Sequence, residues 1–260
     1  MSGFSVLLQK EWREQTRSLK LLWIPLVFII FGILEPLTNY YLPEIMKSVG
    51  NMPEEAEFLW PEFTGEEIFM SVLGQYQSIG ILVIVLAFMG TISGERKTGT
   101  ATLLYVRPLS FQSYFLSKWL VVNGIVLGSI FCGFIAAWYY ISILFNNVSA
   151  GQLFGFMAIY GVWIIFVVTV VLAFSAAFST GIAATLSLIV TLVFPLIDSL
   201  IGKYWTVSPW KLPMYAPYAF EANAELANMW WSVGVTMILI IILIIFGVVM
   251  SKWNAAKTTV

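Results

Sequence analysis

The sequence predicts an all-α, polytopic membrane protein with six transmembrane helices, and three observations carry that prediction. Of its 260 residues, 60% are hydrophobic and only 10% charged, with a mean hydropathy of +0.89. A water-soluble domain carries about 25% charged residues and could not cover its surface with so few. Six segments each supply the run of about 20 apolar residues that crosses a bilayer core. Ten of the thirteen lysines and arginines fall on one side of the resulting topology, which by the positive-inside rule is cytoplasmic.

Residues 1–20 read as an interfacial helix. Phe4, Leu7, Leu8 and Trp12 share one face, while Lys10, Arg13, Arg17 and Lys20 gather opposite, where cations meet anionic membrane lipid. The apolar run that follows leads into a full span, so the start reads as retained rather than as a cleaved signal peptide. Span one is expected over Leu21 to Leu42, interrupted by Glu35-Pro36. An acidic outer loop, residues 35–70, holds eight carboxylates against Lys47, and Pro43, Pro53 and Pro61 predict an irregular path there. Span two covers Val72 to Ile92, and a basic loop follows over residues 93–118. Span three runs from Trp119 to Phe145 and span four from Leu153 to Phe178. Gly181 then stops the chain before span five, Ile182 to Ile201. A second outer loop, 202–229, precedes span six, Trp230 to Met250. The whole chain, 1–260, reads as a single transmembrane domain with both termini cytoplasmic.

Several chemistries are excluded. The chain has no histidine, and Cys132 is its only cysteine, so an internal disulfide and a Cys/His zinc site are impossible. No Gly-x-x-x-x-Gly-Lys-Ser/Thr, His-Glu-x-x-His or Gly-x-Ser-x-Gly pattern occurs. The chain is not expected to be an enzyme, and nothing in it points to nucleic acid. Within the spans, Glu35 and Asp198 are the acidic residues that stand as candidate pathway or gate residues, together with Pro195, expected to kink span five. Thr191 or Ser187 is available to relieve the carbonyls Pro195 leaves unpaired. Close helix packing is expected at Gly90/Gly94, Gly124/Gly128 and Ala173/Ala177.

The loop between spans two and three is the most informative stretch. Gly94-Glu95-Arg96-Lys97-Thr98-Gly99-Thr100 opens it, and Thr98 or Thr100 can cap a short helix bearing Leu103 and Leu104. Arg107-Pro108 ends that helix, because a proline disfavours helix at the residue before it. Ser110 then caps a second segment in which Phe111, Tyr114, Phe115 and Trp119 share a face. The result is a stiff elbow beneath the bilayer that needs a soluble partner.

This order of residues resembles the first intracellular loop of ATP-binding-cassette (ABC) transporter permeases, closest to the bacterial six-span subunits of the type-2 export class. The interfacial helix, six spans and a Pro-rich outer stretch from Ser208-Pro209 to Ala216-Pro217-Tyr218-Ala219-Phe220 extend the likeness along the chain. The resemblance implies a coupling helix in which Glu95, Arg96, Lys97, Thr98, Gly99, Thr100, Leu103 and Leu104 grip an ABC ATPase, with Arg107 and Pro108 setting its end. It also implies two ATPase copies holding ATP and Mg, no cofactor in this chain, and a second permease as homo- or heterodimer. The chain would be the permease of an exporter for a lipophilic or amphipathic cargo in a bacterial plasma membrane. Alternatively, the same complex would regulate or confer immunity rather than transport.

Overall fold

The computed structural model describes residues 3–48, 63–99, 110–145, 148–221 and 226–258. These residues are helical in architecture, and six helices are long and apolar enough to span a bilayer. An amphipathic helix, Gly3–Arg17, comes first. It ends in a tight turn at Leu19, which takes a positive φ of 58°, and span one begins at once as Lys20–Ser48.

The helices outrun their apolar cores. Span one continues through Pro25, Pro36 and Pro43 to Ser48, so neither Glu35-Pro36 nor Pro43 breaks it. Span two starts at Gly65, where Thr64 accepts the Glu67 amide and Glu67 returns a bond to the Thr64 amide. The outer loop expected over 35–70 therefore shortens at both ends, and Pro53 and Pro61 lie outside the described residues. Hydropathy marks where the bilayer lies, whereas capping and backbone bonding decide where a helix stops.

Span two is not uniform. Helix Gly65–Gln75 passes through a π-helical turn, Tyr76–Gly80, into Ile81–Phe88, and after a turn the chain closes with Ser93–Lys97. Span three is one helix, Phe111–Leu144, capped by Ser110, whose hydroxyl accepts the Ser113 amide at 3.1 Å. Residues 111–118 thus belong to span three rather than to the loop. Span four is Ala150–Ala177 and is the most enclosed of the six. Span five, from Thr180 to Ile201, carries a second π-helical turn at Ile189–Val193, and span six is Ala227–Thr258.

Spans one and three make the closest approach. A Cβ on Gly32 would overlap the Gly133 carbonyl, and one on Gly133 would overlap the Phe28 carbonyl and the Tyr76 hydroxyl. That hydroxyl donates to the Phe28 carbonyl at 2.6 Å. Gly94, Gly124 and Gly128 have open space where a Cβ would stand, so of the expected Gly pairs only Gly90 meets a neighbour in this protomer, Thr180 of span five. The core is aromatic: Phe134 meets Phe156 edge-on at 5.0 Å, and Phe156 stacks on Phe220 at 5.3 Å. Phe220 ends the Pro-rich segment 209–220, whose Leu212 and Ala216 are fully buried. That segment is packed structure, not a free loop.

Candidate functional site

The N-terminal helix, both feet of the loop between spans two and three, and the ends of spans four and six meet at one end of the bundle. Glu95 sits in the short helix Ser93–Lys97 and is 8% exposed. Its carboxylate accepts the Tyr114 hydroxyl at 2.5 Å and pairs with Lys118 Nζ at 2.9 Å. Tyr114 and Lys118 are one turn apart in span three, so this contact ties the exit of span two to the entry of span three. Lys118, fully buried, also binds both oxygens of Glu11, at 2.9 and 3.0 Å. Lys10 completes the network with bonds to Glu95, Glu11 (2.9 Å) and Glu14 (3.1 Å).

Taking ions from water costs several kcal/mol each, and removing one partner of such a pair leaves a buried charge. The two ammoniums answer that by being shared among carboxylates, of which Glu11 and Glu95 each hold both lysines. Burial opposes the charge on Lys10, but Glu11 and Glu95 outweigh it and hold its ammonium above the usual lysine range. Glu11, Glu14 and Glu95 lie close enough to suit a metal ion, yet each already has a lysine ammonium as its partner. The buried part of the cluster, Glu11 and Glu95 against Lys118 and Lys10, is a paired ionic joint, with the exposed Glu14 at its edge.

Arg96 points the other way. It donates to the carbonyls of Ser175 (3.2 Å), Ala176 and Phe178, and Asn254 of span six donates to Ala176 at 2.9 Å. These are the carbonyls a helix leaves unpaired at its C-terminus, where a cation is favoured. The Ser175 hydroxyl accepts the amides of Ile92 and Ser93, each at 3.1 Å, and Ser93 meets Thr180 at 2.8 Å. Beside this junction lies a notch of about 420 Å³ lined by Arg96, Lys97, Phe178, Ser179 and Asn254 among others.

The structure therefore divides the residues assigned to the grip. Glu95 and Arg96 face inward and hold the loop's base, while Lys97, Thr98 and Gly99 are exposed. Gly99 takes φ 74°, a conformation that suits glycine. Thr100, Leu103, Leu104, Arg107 and Pro108 lie outside the described residues. The sequence reading missed Glu11, Tyr114 and Lys118 as members of the site. One signal was present: Glu11 follows Leu7 by four residues and so falls on the helix's buried face, with Gln15 next in line. Trp12, assigned to that face, is 47% exposed.

The gate candidates do not form one site. Glu35 is half-buried in span one, its side chain accepting from Asn39 at 3.4 Å. Asp198 is buried at the far end of span five, where it pairs with Lys211 at 3.1 Å and accepts from Trp205 (2.6 Å) and Ser208 (3.1 Å). It fastens the Pro-rich segment. Pro195 follows the π-helical turn, in which Phe194 donates to Ile189 five residues back. The next bond in that register would run from residue 195 to Val190, and proline has no donor for it. The Trp210 indole donates to the Val190 carbonyl instead, at 2.9 Å. The Thr191 hydroxyl donates to the Ser187 carbonyl at 2.7 Å, which Pro195 does not leave unpaired, so the relief expected from Thr191 or Ser187 comes from Trp210 instead.

Residues 5–208 match the model of the ABC-2 family transporter protein. The chain belongs to that family. It is also 32% identical over 251 residues to the uncharacterized transmembrane protein YxlG of Bacillus subtilis (strain 168), covering 95% of this chain and 96% of that one. As an ABC-2 permease it is a multi-pass membrane transporter component, and the family in general works with an ABC ATPase. In that light the ion-pair joint sits where the permease's loop leaves and re-enters the spans.

Proposed function

We propose that this chain is the membrane-spanning permease of an ATP-driven exporter, moved by separate ATPase subunits that bind ATP and Mg. Two ATPases engage two permeases, and the permeases enclose a path for a lipophilic or amphipathic cargo. Both termini and the loop between spans two and three face the cytoplasm of a bacterial cell. The observation that carries this reading is the joint of Glu11, Glu95 and Lys118. Buried ionic contacts are stiff and poorly replaced by water, so a push on the loop moves span two, span three and the N-terminal helix together. Exposed Lys97, Thr98 and Gly99, with the 100–108 stretch, supply the surface that the ATPase presses.

A pathway role, rather than a purely regulatory one, is supported by span two. Ser71, Gly74 and Ser78 stand exposed on one helical face, and the Gln75 side-chain oxygen is buried without a partner among the described residues, whereas Gln77 turns inward to accept from Trp163 and Tyr160. A polar face within a span favours water or facing protein over acyl chains. The test is reconstitution of the permease with its ATPase in vesicles preloaded with amphipathic dyes or peptides. ATP-dependent loss of cargo that vanishes without nucleotide is the expected result. A stable, ATP-hydrolysing complex that moves none of a broad cargo panel would replace export by regulation.

A further inference from the structure

We propose that the exposed face of the N-terminal helix binds the phosphodiester headgroup of an anionic phospholipid, with Arg13 and Arg17 as its ligands. The two arginines are one turn apart, and both are exposed. They line a groove of about 580 Å³ with Lys10, Glu14 and Ser18, which adjoins a second of about 410 Å³ formed by Trp12, Arg13, Thr16 and Arg17. Among the described residues neither guanidinium has a carboxylate or carbonyl partner. The other cations here are committed: Lys10 and Lys118 belong to the joint, and Lys20 donates to the Ala87 carbonyl at 2.7 Å and sits over the Phe88 ring. Glu14, the one acidic residue of the groove, is held by Lys10. The uncommitted positive charge therefore lies on Arg13 and Arg17.

Depth selects a lipid over a soluble anion. The chain enters the bilayer immediately after Arg17, because Leu19 and Leu22 are 62% and 69% exposed at the start of span one. Apolar side chains so placed belong among acyl chains, which puts Arg17 at headgroup level and Arg13 about 6 Å along the helix from it. Trp12, half exposed on the same face, adds the amphipathic ring that favours this layer. Guanidinium forks match phosphate oxygens, and a net negative headgroup adds attraction that a zwitterionic one cancels. Lys10 lines both the groove and the joint, so the headgroup lies one side chain from Glu95.

The test needs no ATPase or nucleotide, so it stands or falls separately from the exporter reading. The full chain is placed in phosphatidylcholine vesicles with traces of spin-labelled phosphatidylglycerol or spin-labelled phosphatidylcholine, and the immobilised fraction is compared. At about 1 kcal/mol per arginine near the surface, a preference for phosphatidylglycerol on the order of tenfold is expected. R13Q/R17Q falls close to parity, and R13K/R17K keeps most of the preference. Inorganic phosphate at constant ionic strength leaves it unchanged. Parity in the unsubstituted chain overturns the proposal, as does full preference in R13Q/R17Q. Loss of the preference on adding inorganic phosphate would assign the groove to a soluble anion instead.

Discussion

Lys118 is the residue on which the joint turns, since it alone touches both Glu11 and Glu95 from a fully buried position. Lys118→Met leaves two buried carboxylates to share the half-exposed Lys10 alone, and a loss of about 3 kcal/mol is expected, read as a lowered unfolding temperature in detergent. Combining it with Glu11→Gln should cost clearly less than the two changes summed. Strict additivity would show that the contacts are not coupled. Trp210 offers a second test at this scale. Trp210→Phe keeps an aromatic ring beside Phe194 but strips the Val190 carbonyl of its donor, which should cost about 1–3 kcal/mol. In a Pro195→Ala background the restored amide can serve Val190, so the same change should be nearly silent. An equal loss in both backgrounds would sink the pairing of Trp210 with the proline.

Among the elements, the contact of spans one and three is the sharpest. Gly133→Ala drives a methyl into the Tyr76 hydroxyl and the Phe28 carbonyl, and Gly32→Ala drives one into the Gly133 carbonyl. Each should destabilise by about 1–3 kcal/mol, because backbone cannot step aside as a flexible side chain can. Gly124→Ala and Gly128→Ala meet nothing within 4 Å in the protomer and should leave its thermal stability unchanged or slightly raised, since alanine costs less backbone entropy in a helix. The comparison separates glycines that let helices touch from glycines that merely occur at the same spacing. The six spans were legible in the sequence because apolar length is a local property. The contact at Gly32 was not, since it depends on which helix lies opposite.

For the molecule as a whole, the division between inward and outward loop residues makes a functional prediction. Lys97→Ala or Thr98→Ala should weaken ATPase stimulation, while Glu95→Gln should leave the ATPase bound and active but reduce ATP-driven cargo loss. Parallel losses of both activities in all three variants would show that Glu95 acts by direct grip. Sidedness is checked separately: with exposed Cys132 replaced by alanine, Thr98→Cys should react with an impermeant maleimide only from the cytoplasmic side.

By itself the sequence determined that the chain spans a membrane six times, which segments do so, and that the loop beginning at Gly94 resembles an ABC permease's coupling element. Each follows from composition and spacing that neighbouring residues carry among themselves. Tertiary structure decided that Glu95 and Arg96 turn inward, that Asp198 fastens the Pro-rich segment to span five, and that Trp210 serves the carbonyl facing Pro195. Those outcomes depend on partners 19 to 85 positions away for Glu95, 80 positions away for Arg96, and on a packed turn for the others. Charge in a low-dielectric interior is governed by whichever group folding brings within about 3 Å, and no local pattern encodes that.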